Sequence, residues 1–167
     1  MRFAATPATT EQEGTATPLT APHTDQAGRR YADLADIQQM LARYAVAMTQ
    51  GDTDRVLAAF TPDGSYSAFG DTYPLDAFPA LIAAAPKGLF MTGTPVVEFA
   101  EDGETATGTQ PLCFVEHSAH DMRIGYYNDT YRRTPDGWRL HTRAMTFIRR
   151  SGAHDSGRPH AFERTRS

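Results

Sequence analysis

The chain has 167 residues, which is long enough for one domain with a sizeable core, and its net charge is −4. It carries no basic stripe with interleaved aromatic residues and no run of 18 apolar residues, so we expect neither nucleic-acid binding nor a membrane span. With the single cysteine Cys113, no disulfide can form within the chain, and no signal peptide is visible, so we expect a cytoplasmic protein.

The two ends differ in composition from the middle. Residues 1–28 are rich in Ala, Thr, Pro and Gln without an apolar period, which predicts a disordered N-terminal arm. Residues 151–167 read as a flexible C-terminal tail in the same way. The folded domain is therefore expected over residues 29–150.

The first half of this domain has helical spacing. Gly51 is a helix-ending signal, Asp52 is typical of the N-cap of a second helix, and residues 75–85 indicate a third. Between them, residues 61–64 predict a turn and residues 65–69 a short strand. The first helix is predicted from one apolar stripe, formed by Leu34, Ile37, Leu41, Tyr44, Ala45 and Met48.

After Gly88 the period changes to that of strands. Four strand-like segments follow, and the clearest hairpin turns between them are 101–104 and 134–137. The strands are predicted at 89–99, 105–117, 123–133 and 138–150. Helices first and antiparallel strands after them predict an α+β fold. A curved sheet wrapped against a long helix leaves a cone, which large side chains or a ligand must fill.

Several segments resemble one family. The sequences Arg-Tyr-Ala-Val-Ala at 43–47, Gly-Asp-Thr-Asp at 51–54 and Phe-Thr-Pro-Asp-Gly at 60–64 are similar to the opening of SnoaL-like proteins, a branch of the NTF2-like superfamily. Tyr127, Asp129, the stretch Asp-Gly-Trp-Arg-Leu at 136–140, and Arg143 are similar to its last hairpin. The resemblance implies three N-terminal helices packed on a curved, mostly antiparallel sheet that encloses a pocket.

The resemblance also suggests a range of activities. Ketosteroid isomerase, scytalone dehydratase and polyketide cyclases share this cone, so we favour a cofactor-independent lyase, isomerase or cyclase. Its substrate would be an apolar, oxygenated small molecule of polyketide, terpenoid or steroid type. The alternative is a non-catalytic small-ligand-binding module or accessory subunit, because the same fold serves that purpose as well.

This sequence has some of the catalytic residues of these relatives and lacks others. Tyr44 and Asp129 fall where ketosteroid isomerase has its oxyanion-hole tyrosine and aspartate. The base of that isomerase aligns with Ala68, and the histidine of scytalone dehydratase aligns with Phe90, so neither group is present. The general base is therefore unassigned.

The residues themselves give two interpretations of Asp129. Tyr127 and Asp129 alternate along one strand and share a face, and a carboxyl group buried there would have a raised pKa and could donate or accept a proton. In the alternative, Asp129 forms a structural ion pair with Arg143. Arg143 could equally hold a carboxylate or enolate of the substrate.

The segment Glu-His-Ser-Ala-His-Asp at 116–121 is a second polar cluster. We consider His117 and His120 as acids or bases at the mouth of the cone, with Asp71 as a further proton-transfer candidate. The alternative is a solvated hairpin tip. Ligands within one short turn rarely converge on a metal, so we predict no metal and no cofactor.

Large apolar side chains are expected to form the pocket wall. The predicted substrate-binding residues are Tyr127, Phe69, Phe90, Phe114, Met145 and Arg143, although core filling would explain most of them equally well. The outer sheet face should also be apolar enough to pair two copies, so we expect a homodimer. Its interface would draw on Val96, Phe114, Ile124, Tyr126 and Ile148.

Overall fold

The computed structural model describes residues 22–148 and 154–155, with side chains from residue 26 to residue 148. The helices are α1 (Pro22–Gln50), α2 (Thr53–Leu57) and α3 (Phe78–Ala84). The strands are β1 (Phe60–Ala68), β2 (Asp71–Pro74), β3 (Gly88–Thr92), β4 (Val96–Phe99), β5 (Thr105–Glu116), β6 (Met122–Thr134), β7 (Gly137–Ile148) and β8 (His154–Asp155). The predicted α+β class is confirmed.

One curved sheet carries all the described strands. Its order is β2-β1-β7-β6-β5-β3, with β4 on β5 and β8 on β7. β1 and β7 run parallel, and the other pairs are antiparallel. β5, β6 and β7 are 12 or 13 residues long and form the centre of the sheet.

The helix α1 lies across the concave face of this sheet. Its predicted stripe is buried: Ile37, Leu41 and Tyr44 are at most 1% exposed. Gly51, at φ +70°, follows its last residue in the left-handed conformation that glycine adopts without strain. No helix in the described part of the chain is long and apolar enough to cross a membrane.

The start of α1 differs from the sequence interpretation. The helix begins at Pro22, inside the stretch assigned to the arm, and Pro is favoured in a first helical turn. Once a helix has formed, each added residue gains a hydrogen bond, so α1 extends without an apolar stripe. Residues 1–21 of the predicted arm, and residues 151–153 and 156–167 of the predicted tail, lie outside the described part of the chain.

The short helices follow the local signals. Asp52 caps α2, since its Oδ1 accepts a hydrogen bond from the Arg55 backbone N–H at 3.1 Å. Pro79 lies in the first turn of α3, which buries Phe78 and Ile82. α3 is shorter than the predicted 75–85, because residues 75–77 form a turn between β2 and the helix.

Two strand predictions are corrected. The segment 89–99 is divided into β3 and β4, which pair with different parts of β5. The predicted turn at 61–64 lies within β1, as an irregularity in its pairing with β7 between Phe60 and Ser65. Thr61 and Gly64 are buried on the sheet, whereas Pro62 and Asp63 between them are exposed.

Candidate ligand cavity

A cavity of about 230 Å³ lies between the concave face of the sheet, α3 and the end of α1. Its lining is almost wholly apolar. Helical and loop residues supply one side, namely Met48, Phe69, Phe78, Leu81, Ile82, Ala84, Ala85 and Pro86. Strand residues supply the other, namely Tyr66, Phe90, Leu112, Phe114, Arg123, Tyr127, Met145 and Phe147.

The sheet side of the cavity is built in layers by cross-strand register. Phe90, Phe114 and Arg123 are aligned in the outermost layer. Leu112, Gly125 and Phe147 form the next layer, and Tyr127 with Met145 forms the deepest. Arg123 is exposed, whereas Tyr127 and Met145 are at most 1% exposed, so the cavity opens at the Arg123 end.

Aromatic pairs shape the walls. Phe90 lies 4.8 Å from Phe114 between ring centroids, and Tyr66 stacks on Phe78 at 4.5 Å. Phe69 stacks on Phe147 at 5.2 Å, although Phe69 has φ +56° in the two-residue turn that joins β1 to β2. An aromatic residue at positive φ is strained. The turn therefore keeps a ring at the mouth of the cavity at some cost in backbone energy.

The polar groups in the lining are two phenols and one guanidinium. Burial raises the pKa of Tyr66 and Tyr127 above the ordinary value, and the neighbouring phenol of Tyr44 raises both further. Both phenols are thus protonated near neutral pH and can donate a hydrogen bond to a ligand oxygen. Among the lining residues there is no carboxylate, imidazole, thiol or amine that could accept a proton.

The layer beneath Tyr127 is polar and closed. Asp129 and Arg143 are direct register partners there, and both side chains have zero exposure. Arg143 donates from Nε to Asp129 Oδ1 at 2.9 Å and from Nη2 to Asp129 Oδ2 at 2.8 Å. Tyr131 donates to Asp129 Oδ2 at 2.9 Å, and Arg143 Nη2 donates to Gln110 Oε1 at 3.0 Å.

Aromatic rings enclose the guanidinium of Arg143. Its central carbon lies 4.4 Å from the ring centroid of Tyr44 and 3.9 Å from that of Tyr127, at the distances of cation–π contacts. Burial opposes the charge, but the Asp129 carboxylate raises the pKa of Arg143 above its ordinary value. Tyr44, Gln110, Asp129, Tyr131 and Arg143 are called the Arg143 cluster below.

Two buried donors of the Arg143 cluster have no hydrogen-bond partner within the described residues. They are the Tyr44 hydroxyl and Arg143 Nη1. Burial raises the pKa of Tyr44, so its hydroxyl keeps its proton. A buried donor without a hydrogen-bond partner lowers the free energy of unfolding, so these two atoms destabilise the core.

The predicted site residues divide between these two regions. Tyr127, Phe69, Phe90, Phe114 and Met145 line the cavity. Asp129 and Arg143 are on the same sheet face as Tyr127, and Tyr44 on α1 packs against Arg143, but none of these three lines the cavity. Asp129 is bonded to Arg143, which is the structural ion pair that the sequence left open. Ala68, at the family position of the base, is buried at 1% exposure and also does not line the cavity.

The histidines of the 116–121 segment lie in the β5–β6 hairpin turn. His117 is exposed and its Nδ1 lies 2.9 Å from the Lys87 carbonyl oxygen. His120 is exposed at φ +56°, and Asp71 is exposed at the start of β2. None of these three lines the cavity. No group of three or more His, Cys, Asp or Glu side chains comes together as a metal site in the part of the chain that the structure describes.

Sequence reasoning missed Tyr66 and Arg123. Arg123 has the same strand parity as Tyr127, so its place on the inner face could have been inferred from alternation. Tyr66 was harder to place, because its neighbour across the sheet is Arg143 in the parallel β1–β7 pair. That pairing joins residues far apart in the chain.

The fold and the cavity together define a cone-shaped α+β domain with an apolar cavity. The chain matches the SnoaL-like domain over residues 29–144 and belongs to that family. It is similar to an uncharacterised protein of Mycobacterium tuberculosis, with 32% identity over 69% of this chain and 85% of the relative.

Solved structures share the fold. An NTF2-like protein with a cystatin-like fold from Novosphingobium aromaticivorans is 24% identical, with a TM-score of 0.65 over 78% of this chain and 89% of its own. A candidate scytalone dehydratase from the same organism is 14% identical, with a TM-score of 0.64 over 84% of this chain and 99% of its own. The predicted SnoaL-like family is confirmed by the family match, and these solved structures show the same NTF2-like fold.

Proposed function

We propose that this protein binds a small apolar molecule with an oxygen acceptor in the cavity beneath α3. The observation that carries this proposal is the lining itself, which is apolar apart from two protonated phenols and one guanidinium. Such a surface gains free energy by burying an apolar ligand, and the phenols of Tyr66 and Tyr127 orient a carbonyl or hydroxyl oxygen. The cavity volume of about 230 Å³ suits a one- or two-ring molecule.

Two probes of equal size test this proposal. Tetralone carries a ketone oxygen that its parent hydrocarbon tetralin lacks, so a cavity with phenol donors should bind tetralone more tightly. We expect Tyr127→Phe and Tyr66→Phe to reduce that preference several-fold, since each removes one neutral hydrogen bond of about 1 kcal/mol. Tyr31→Phe is the matched control, because Tyr31 is 75% exposed on α1.

Native mass spectrometry of freshly purified protein complements the probe assay. A ligand that co-purifies with the protein and is displaced by Leu112→Trp, which fills the middle of the cavity, would support binding there. Equal affinity of the wild type for tetralone and tetralin would contradict an oxygen-directed site. No binding of either probe would contradict a ligand cavity.

A second candidate function is cofactor-independent catalysis of the lyase, isomerase or cyclase type. The specific observation in its favour is that Tyr66 and Tyr127 are donors whose raised pKa keeps them protonated, as groups that stabilise an oxyanion must be. Because the described lining contains no base, the proton acceptor would be a substrate group, a bound water molecule, or one of His117, His120 and Asp71 after a movement. Tyr44 and Asp129 would contribute through Tyr127 and Arg143.

The second candidate is separated from the first by product analysis. The co-purified ligand is incubated with the protein and followed by liquid chromatography and mass spectrometry. Catalysis at Tyr127 predicts that Tyr127→Phe lowers turnover by about 10²-fold, the usual loss for one oxyanion donor. Tyr44→Phe and Asp129→Asn should lower it as well while the fold survives. If the ligand is unchanged after prolonged incubation, catalysis is contradicted and ligand binding is the function that is left.

We also propose a homodimer. On the outer sheet face Val96 is 68% exposed, Ile124 is 45% exposed and Met91 is 46% exposed, whereas Phe114 faces the cavity. Pairing would remove this apolar surface from water. Sedimentation at micromolar concentration should give a dimer that Ile124→Glu dissociates. A wild-type species of only 18.3 kDa would contradict the proposal.

A further inference from the structure

Arg123 is the charged residue of the cavity lining. It lies on the inner face of β6 at the open end, opposite Phe114 in the β5–β6 register. Tyr127 is four residues further along the same strand and face, so the two backbone positions are about 13 Å apart at the usual strand rise. The cavity therefore has a cation at its mouth and phenols at its base, with aromatic walls between them.

Arg123 differs from three other arginines of the β6–β7 hairpin, which form ion pairs. Arg132 donates to Asp63 at 2.8 Å, Arg133 to Asp33 at 2.6 Å, and Arg143 to Asp129 at 2.8 Å. Arg123 makes no such ion pair or hydrogen bond with any described residue, and no lining residue carries a negative charge. The guanidinium is thus available to an anion that enters the cavity.

We infer that the ligand is a carboxylic acid whose carboxylate binds Arg123 at the mouth. Its apolar body lies between the rings of Phe114 and Phe147, and an oxygen at its far end accepts from Tyr66 or Tyr127. This inference rests on the proposed binding function and adds the chemical class of the ligand. The planar guanidinium can donate two parallel hydrogen bonds to a carboxylate, a geometry that a neutral amide or ester cannot match.

The exposure of Arg123 limits how much its ion pair with a carboxylate can add to the affinity for the ligand. Solvent screens an ion pair at the mouth, so its contribution to affinity is modest and decreases as salt rises. Burial of the apolar part of the ligand in the aromatic cavity supplies the remaining affinity, and this contribution does not depend on charge. Charge discrimination and cavity binding can therefore be measured separately.

The test uses para-hydroxycinnamate and its amide, para-hydroxycinnamamide. They have the same rod shape and the same far phenol oxygen, and only the first is charged at neutral pH. Isothermal titration calorimetry on the full chain in low salt should show that the wild type binds the acid about three- to tenfold more tightly than the amide. The difference should shrink in ~0.5 M NaCl as screening increases.

Variants assign this preference to one residue. Arg123→Gln should bind both probes with the affinity that the wild type shows for the amide. Arg30→Gln, which removes one exposed arginine of α1 outside the cavity, should keep the wild-type preference. Circular dichroism checks that each variant is folded.

The outcomes distinguish this inference from the proposed function. Equal affinity of the wild type for acid and amide, together with a retained preference for tetralone over tetralin, would overturn the carboxylate inference and leave the cavity function intact. A preference for the acid that persists in Arg123→Gln would also overturn it. Loss of tetralone binding and of both cinnamic probes would overturn the two together.

Discussion

The Arg143 cluster and the cavity occupy neighbouring layers of one sheet face, yet they differ in almost every property. In the cluster, a buried cation and a buried anion satisfy each other with two hydrogen bonds. In the cavity, aromatic side chains leave a volume of about 230 Å³ between them. The chemically conspicuous residues therefore pair with one another in the core, whereas less conspicuous aromatic residues line the proposed binding site.

The boundary between the two regions is Tyr127. The centroid of its ring lies 3.9 Å from the central carbon of the Arg143 guanidinium, and the residue also lines the cavity. In the proposed function, a ligand at the base of the cavity would contact this phenol. The cation–π contact on the other side of the ring restricts its position.

The largest expected effect is the loss of stability when the ion pair of the Arg143 cluster is broken. Arg143→Met leaves the Asp129 carboxylate buried without a counter-ion, and removal of one partner of such a pair costs about 3–5 kcal/mol of unfolding free energy. Urea denaturation followed by circular dichroism measures it. The double variant Arg143→Met with Asp129→Leu should recover most of the loss. A single variant as stable as the wild type would contradict the structural role of the pair.

The next effect concerns alkaline pH. Burial raises the pKa of Tyr44 and Tyr127, so the folded state holds their protons more strongly than the unfolded state does. Their contribution to stability is complete below the ordinary value of 10.0 and is lost as the pH rises above it. Above that pH, each of these two tyrosines should lower the free energy of unfolding by about 1.4 kcal/mol per pH unit.

Absorbance of tyrosinate measures this transition. We expect the phenols of Tyr44 and Tyr127 to ionise together with unfolding. Tyr127→Phe should make the pH dependence less steep. Reversible ionisation of every tyrosine at its ordinary pKa in the folded protein would contradict the burial argument.

The smallest effect compares two hydroxyl groups of the Arg143 cluster. The Tyr44 hydroxyl has no hydrogen-bond partner among the described residues, so Tyr44→Phe should raise the unfolding free energy by about 1 kcal/mol. Tyr131 donates to Asp129, so Tyr131→Phe should lower it by a similar amount. Thermal denaturation measures both. A loss of stability in Tyr44→Phe would show that its hydroxyl has a bound partner.

The parts of the fold that depend on local pattern were predictable. The stripe of α1, the Asp52 cap and the long strands β5, β6 and β7 follow from spacing and turn residues that lie within a few positions of each other. The turn at Phe69 was not predictable, because a phenylalanine at positive φ contradicts the residue preferences of such turns.

The site was predictable only in part. Alternation placed Tyr127 and Asp129 on the inner face, but it could not decide whether Asp129 faces a ligand or Arg143. That choice depends on the exact β6–β7 register, which a one-residue shift would reverse. The cavity itself is a volume that side chains leave empty, and it arises from packing between α3 and the sheet instead of from any motif.

The parallel pairing of β1 with β7 has a consequence for the order of folding. Ser65 is aligned with Thr142, so a strand from the first half of the chain lies next to the last long strand. During synthesis on the ribosome, β1 can pair with β7 only after almost the whole domain has emerged. Contacts of such large sequence separation form late and slowly, since the connecting chain loses entropy before they form. The hairpins of β5, β6 and β7 can assemble first. Tyr66 on β1 is then among the last residues to reach its place, and the cavity is completed only when the fold itself is complete.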